Sequence, residues 1–282
     1  MPRPRLAARW QPWIIFAACG EYYLQAVVDQ TDTLNRKKAG LVEPMVTFLA
    51  ATGLAAGLFW LARSVSFVRE ILHGGIALVF LLAPSYAARI FHRPFDYRAA
   101  GLGFTPVKLN LRILGLALGC TWPLFFGGFL LYYGLLCPGG ASAWPQRLVG
   151  VLSPICPDWL GLQGFSLRLP TGLALLALSQ LLVVALPEEI FFRGYLMSRL
   201  EDRWPSRRRL WGASVGWPLL ISSLLFGLGH FLVDFQPARL AVFFPALVFG
   251  WMRQRSGSLA PAAVFHALCN LFSDVLHESF FG

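Results

Sequence analysis

Leu186-Pro187-Glu188-Glu189-Ile190-Phe191-Phe192-Arg193-Gly194-Tyr195 places two adjacent carboxylates and a guanidinium inside an otherwise apolar run. The residues leading into it, Leu169 to Leu186, carry no charge, so a helix built from them is apolar enough for a bilayer and delivers Glu188 and Glu189 to a poorly hydrated depth. Ionisable groups at that depth cost several kcal/mol, and they generally face a cavity and serve function. Pro187 adds to the expectation. It has no N–H to bond the carbonyl of Val183, and its ring crowds that carbonyl, which predicts a bend and space beside the carboxylates.

The composition agrees with a membrane setting. Of the 282 residues 56% are hydrophobic and only 13% charged, and the mean hydropathy is +0.59; a soluble domain is not built this way. The net charge of +10 would suit nucleic acid only if the cations were clustered on a solvated module, whereas they sit between apolar runs. No nucleic-acid partner is therefore expected, and the bilayer itself is.

Apolar stretches of the roughly 20 residues needed to cross the hydrocarbon fall at about 44–62, 71–91, 113–136, 173–199, 217–235, 238–253 and 258–277. The expected fold is all-α, a polytopic transmembrane helix bundle of seven or eight spans with a mid-membrane polar cavity. Residues 1–43 form an N-terminal segment and 44–282 the bundle. The eighth candidate, Trp13 to Val28, is short and carries Glu21, which suits a span, an interfacial helix or a signal segment. Phe16-Ala17-Ala18-Cys19 is a weak lipidation box, because Phe is a poor first residue for one.

With seven spans and residues 1–43 inside, nineteen of the 24 Lys and Arg lie on the inner side; Arg63, Arg69, Arg147, Arg168 and Arg239 lie outside. This is the orientation that positive-inside topology selects. If Trp13 to Val28 also crosses, the split becomes 16 to 8 and the later spans keep their orientation.

Several features read as structural. Gly53 and Gly57 have the four-residue spacing that suits close helix packing. His73 reads as an interfacial histidine. Pro123 with Gly127-Gly128 predicts a bend in the third span. Arg199 to Arg209 reads as a helix leaving the membrane into a basic inner loop. Cys137 and Cys156 share an outer loop, and sequence alone leaves a disulfide between them open.

Two further polar clusters follow the first. In Phe226-Gly227-Leu228-Gly229-His230, Phe226 and His230 share a helix face, as do His266 and Asn270 in His266-Ala267-Leu268-Cys269-Asn270. Pro218 marks the start of one span, and Ser258 with Pro261 the start of the other. At 1.5 Å per residue from each inner boundary, Glu188, His230 and His266 lie roughly 16, 18 and 12 Å deep. Three clusters at one depth imply a shared polar pocket. Taken alone, Glu189 and Arg193 at i, i+4 read as a buried ion pair holding helices in register, whereas Glu188 has no cation on its own face and reads as functional.

Glu188-Glu189-x-x-x-Arg193, Phe226-x-x-x-His230 and His266-x-x-x-Asn270, in this order on successive late spans, resemble the three motifs of the CAAX prenyl protease and bacteriocin-processing (CPBP) family, glutamic intramembrane proteases related to the Ras-converting enzyme. The resemblance covers about residues 170–277. It implies an intramembrane endopeptidase that cleaves near the C-terminal or membrane-embedded part of a protein or peptide substrate. Glu188 with His230 would activate the water, His266 and Asn270 would supply the oxyanion hole, and Glu189 paired with Arg193 would orient the base. The scheme needs no cofactor and no metal.

Other readings stay open at this point. Glu188, His230, His266 and Asn270 could in principle hold a divalent ion in a metal-dependent protease, and Glu, His and Arg also build relays in proton-coupled transporters or stand in non-enzymatic scaffolds. Gly-x-Ser-Gly, Gly-x-Gly-Asp and His-Glu-x-x-His do not occur. CAAX-type prenylated tails, bacteriocin-like precursors and C-terminal sorting signals are all candidate substrates. Abundant Arg, Ala, Gly and Leu with short inner loops point to a bacterial inner membrane, and there to sorting or maturation.

Overall fold

The computed structural model describes residues 40–137 and 159–281. Trp13–Val28, Cys19 and Cys156, with the span, lipidation and disulfide expected of them, lie outside these residues. Seven helices account for the seven expected apolar stretches: α1 (Val42–Leu61), α2 (Ser66–Ile90), α3 (Val107–Leu136), α4 (Leu173–Arg203), α5 (Trp217–Asp234), α6 (Phe243–Ser256) and α7 (Ala260–Phe281). The protein is an all-α polytopic membrane bundle. Among the described residues five helices, α1 to α5, are long and apolar enough to cross a membrane. The stretch expected as a span at 238–253 begins with a 3-10 turn, Pro237–Val242, and leaves α6 only 14 residues, about 21 Å at helical rise. Helix α7 has the length, but Asp274 and Glu278 dilute its hydropathy.

Large apolar side chains point outward all along the bundle: Leu54, Leu124 and Leu175 are mostly exposed. Such residues would be errors in water and are ordinary in lipid. Inside, aromatic rings on α4 fill the centre. Phe191 packs on Phe80 of α2 at 5.2 Å between centroids, and Phe192 meets Phe226 of α5 edge-on at 5.0 Å.

Two glycine expectations are overturned. Among the described residues a Cβ at Gly53 or Gly57 would meet nothing within 4 Å, so neither residue brings two described helices together. Phe48, Ala51 and Ala55 form the buried face of α1 instead; four-residue spacing identifies a stripe, not the face that is used. One glycine that does permit close approach is Gly101, at φ +97°, where a Cβ would strike Arg253 Nε at 2.7 Å. Its carbonyl accepts from Leu259 N–H and so ties the α2–α3 loop to the start of α7.

Pro187 does not break α4. It lies in a short α-helical stretch, Leu186–Glu189, between two π-helical ones, Gln180–Ala185 and Ile190–Leu196. Widening to i→i+5 bonding absorbs the missing N–H, and such wide turns recur at functional sites. Pro123 likewise stays inside an unbroken α3. After α4 the basic loop forms a small antiparallel hairpin, β1 (Arg208–Leu210) with β2 (Ala213–Val215). Its two turn residues, Trp211 and Gly212, both have positive φ, the conformation of a tight two-residue hairpin turn. Cys137 is disulfide-bonded, and among the described cysteines Cys120 and Cys269 are free.

Candidate active site

Glu189 and Arg193 are both completely buried, with Arg193 Nη1 donating to Glu189 Oε1 at 2.9 Å. The same guanidinium donates from Nη2 to the Ala246 carbonyl of α6 at 3.2 Å and lies 4.3 Å from the Phe226 ring centre on α5. One cation therefore joins α4, α5 and α6. Removing it would strand a carboxylate in a dry interior.

His266, on α7, joins this pair. Its Nδ1 lies 3.0 Å from Glu189 Oε1, and a carboxylate oxygen can only accept, so Nδ1 carries the proton. The ring stacks on Phe249 at 4.7 Å and 18°, which fixes its plane. His230, on α5, is held in the same way: its Nδ1 donates to the Phe226 carbonyl at 3.0 Å. A neutral ring held in this tautomer keeps its lone pair on Nε2, and a protonated one carries a second N–H there.

Both Nε2 nitrogens face one atom. Glu188 Oε2 lies 3.9 Å from His230 Nε2 and 3.8 Å from His266 Nε2. That oxygen is buried and has no hydrogen-bond partner, although the Glu188 side chain as a whole keeps 13% of its surface. Three polar atoms that face one another, each Nε2 at 3.8–3.9 Å from Glu188 Oε2 without a hydrogen bond, leave a place for a small molecule that can both donate and accept, and water is such a molecule. A tetrahedral zinc with ligands near 2.05 Å would draw donor atoms to about 3.3 Å of one another. The observed separations are wider, and among the described residues no three His, Cys, Asp or Glu side chains form a metal-holding group.

A cavity of about 90 Å³ reaches Glu188 between α2 and α4, walled by His73, Ile76, Ala77, Phe80, Val183 and Val184. The wide π-helical turn at Gln180–Ala185 supplies two of these residues. His73, read from sequence as an interfacial residue, stands in the wall of this cavity.

Asn270 lies one turn beyond His266 on α7, and its Nδ2 donates to Gln180 Oε1 at 2.9 Å. Gln180 also interacts with Asp274, so its amide is fixed from both ends. Sequence reading named neither Gln180 nor Asp274. The available signals were a lone amide in the charge-free stretch before Leu186 and an aspartate one turn past Asn270. Of the six residues expected at the site, five meet directly: Glu188, Glu189, Arg193, His230 and His266. Asn270 is tethered beside them through Gln180.

Residues 170–272 match the family model described as Type II CAAX prenyl endopeptidase Rce1-like. The resemblance read from the three motifs is thus borne out over that segment, which holds every residue of the cluster. No curated protein and no solved structure matches the chain.

Proposed function

Taking the family match as the premise, we propose that this integral membrane protein is a glutamic intramembrane endopeptidase that acts on the C-terminal or membrane-embedded part of a protein substrate. The observation that carries the proposal is Glu188 Oε2, a buried carboxylate oxygen without a hydrogen-bond partner among the described residues, with His230 Nε2 at 3.9 Å and His266 Nε2 at 3.8 Å.

A water among these atoms is polarised from several sides. Glu188 takes a proton as the water oxygen bonds to the scissile carbonyl carbon, and the same proton passes to the amide nitrogen as the C–N bond breaks. His230, locked by the Phe226 carbonyl, orients the water with its Nε2. His266 and Asn270 supply the donors for the oxyanion. For His266 the donor is the Nε2–H of an imidazolium whose second proton is taken up from solvent before the substrate binds, and the Glu189 carboxylate 3.0 Å from Nδ1 balances that charge, as a buried aspartate does behind a catalytic histidine. Arg193, 2.9 Å from Oε1, holds Glu189 in place.

The substrate class follows from the setting. A mid-membrane site reached through an apolar wall suits a hydrophobic tail, and a bacterial inner-membrane protein would meet such tails on sorting signals and precursors rather than on prenylated cysteines. The test uses purified protein in detergent with two fluorogenic peptides, one ending in a farnesylated CAAX sequence and one in an unmodified apolar tail. Cleavage of the unmodified tail by wild type, absent in Glu188→Gln, is expected. Equal cleavage by wild type and Glu188→Gln would sink the assignment, and cleavage of the farnesylated peptide alone would move the substrate class to prenylated proteins.

A further inference from the structure

A second cavity, of about 560 Å³, opens where α4 ends and α5 begins, and its wall includes Arg203, Arg207, Arg208, Trp204, Trp217 and Leu220. The three guanidiniums have no carboxylate or hydrogen-bonding partner among the described residues; Arg203 only lies over the Trp204 ring. The neighbouring acids are engaged elsewhere. Glu201 accepts from Ser206 and Gln254, and Asp202 pairs with Arg93 and Arg199. The wall also includes Gly216 and Trp217 at the start of α5, an 18-residue helix whose N-terminus has no side-chain cap. That end carries free N–H groups and the positive pole of the helix dipole. Every charge facing the cavity is positive.

The floor of the cavity is apolar and continues along α5. Trp217, Leu220 and Leu224 lie at i, i+3 and i+7 on one face and are 64%, 40% and 57% exposed, a stripe running from the membrane interface into the span. A soluble anion would use only the cationic cup. A ligand with a phosphate head and a hydrocarbon tail would use both parts.

We propose that this cavity binds the headgroup phosphate of an anionic membrane phospholipid, with an acyl chain laid along Trp217, Leu220 and Leu224. The site is separate from the Glu188 cluster and does not depend on the proteolytic reading.

Native mass spectrometry of the full chain in detergent, titrated with phosphatidylglycerol, phosphatidylcholine or glycerol 3-phosphate, tests the proposal. Wild type is expected to retain one phosphatidylglycerol at concentrations where phosphatidylcholine and glycerol 3-phosphate leave it bare. Each Arg→Gln change at 203, 207 and 208 should weaken retention roughly five-fold, and all three together about a hundred-fold, from the weight of one cation beside an anionic surface. Should the triple variant not fold, Arg207→Gln alone decides. Leu224→Ser should weaken phosphatidylglycerol retention as well. Unchanged retention in the arginine variants would overturn the proposal. So would displacement of the lipid by equimolar glycerol 3-phosphate, which marks a soluble-phosphate site. A raised KM for peptide in the triple variant with lipid retention intact would mark the cavity as a peptide dock and also overturn it.

Discussion

The bundle buries two ionic clusters that share α4 but differ in how fully their atoms are paired. Near the arginine-rich end, Glu43 of α1 is 3% exposed, and both of its oxygens are engaged: Oε2 by Arg93 at 2.5 Å, Oε1 by Tyr195 Oη at 3.1 Å and by Arg199 Nε at 2.8 Å. The Arg199 contact is close in distance but poorly aligned, so Nε is held by charge more than by a hydrogen bond. Arg93 also reaches Asp202, and Thr47 meets Tyr195. In the Glu188 cluster, by contrast, Glu188 Oε2, Glu189 Oε2 and Arg193 Nε all lack hydrogen-bond partners among the described residues. A saturated carboxylate has nothing left to offer a reactant. An unsaturated one in a dry interior is costly, and its persistence points to use.

The sharpest way to break this contrast is to neutralise one carboxylate in each cluster. Glu188→Gln should reduce hydrolysis by at least about 10²–10⁴-fold, the usual weight of a positioned base, with an unchanged melting temperature. Glu43→Gln should do the reverse, lowering stability by about 1–3 kcal/mol as Arg93 and Arg199 lose their acceptor, while the rate per folded molecule holds. Melting temperature in detergent measured beside single-turnover rate separates the two. If Glu43→Gln proves inactive yet equally stable, the clusters have been assigned the wrong way round.

Arg193→Ala should fail on both counts. It leaves Glu189 buried without its cation, a loss of about 3–5 kcal/mol, and it loosens His266. Because His266 Nδ1 bonds Glu189, His266→Ala should also lower the melting temperature, by less than Arg193→Ala does. A fully stable His266→Ala would show that the Glu189–Arg193 pair stands without it.

Asn270→Ala should slow turnover by about 10²–10³-fold, as the loss of one oxyanion donor does, with little change in melting temperature. Gln180→Ala should reproduce a fraction of that loss with KM unchanged, since Gln180 acts only through Asn270. Equal rates for wild type and Gln180→Ala would leave the 2.9 Å contact without a catalytic role.

The smallest expected effect is that of chelation. EDTA and phenanthroline should leave the purified protein's rate unchanged, because in the proposed scheme Glu188 and His230 alone activate the water. Activity lost to chelation and restored by zinc would place the site among metal-dependent hydrolases.

The local code of the chain was legible from the start. Hydrophobic length located the helices, since crossing a bilayer is a demand on consecutive residues. The cost of charge in hydrocarbon singled out Glu188, Glu189 and Arg193, and helical spacing paired Phe226 with His230 and His266 with Asn270. What only the tertiary structure decided depends on which faces meet. Spacing could not say that Ala51 and Ala55, rather than Gly53 and Gly57, turn inward on α1. It could not place Gln180 against Asn270 or Glu43 against Arg93 and Arg199, because those partners lie far apart along the chain and no period links them. The two π-helical stretches around Pro187 change the register of α4 itself. Sequence thus led to the expectation that carboxylates and histidines share one depth, and packing determined that Glu188 Oε2 faces two imidazole nitrogens while Glu43 faces two cations: position is set along one helix, but the partner of a buried charge is set by its neighbours.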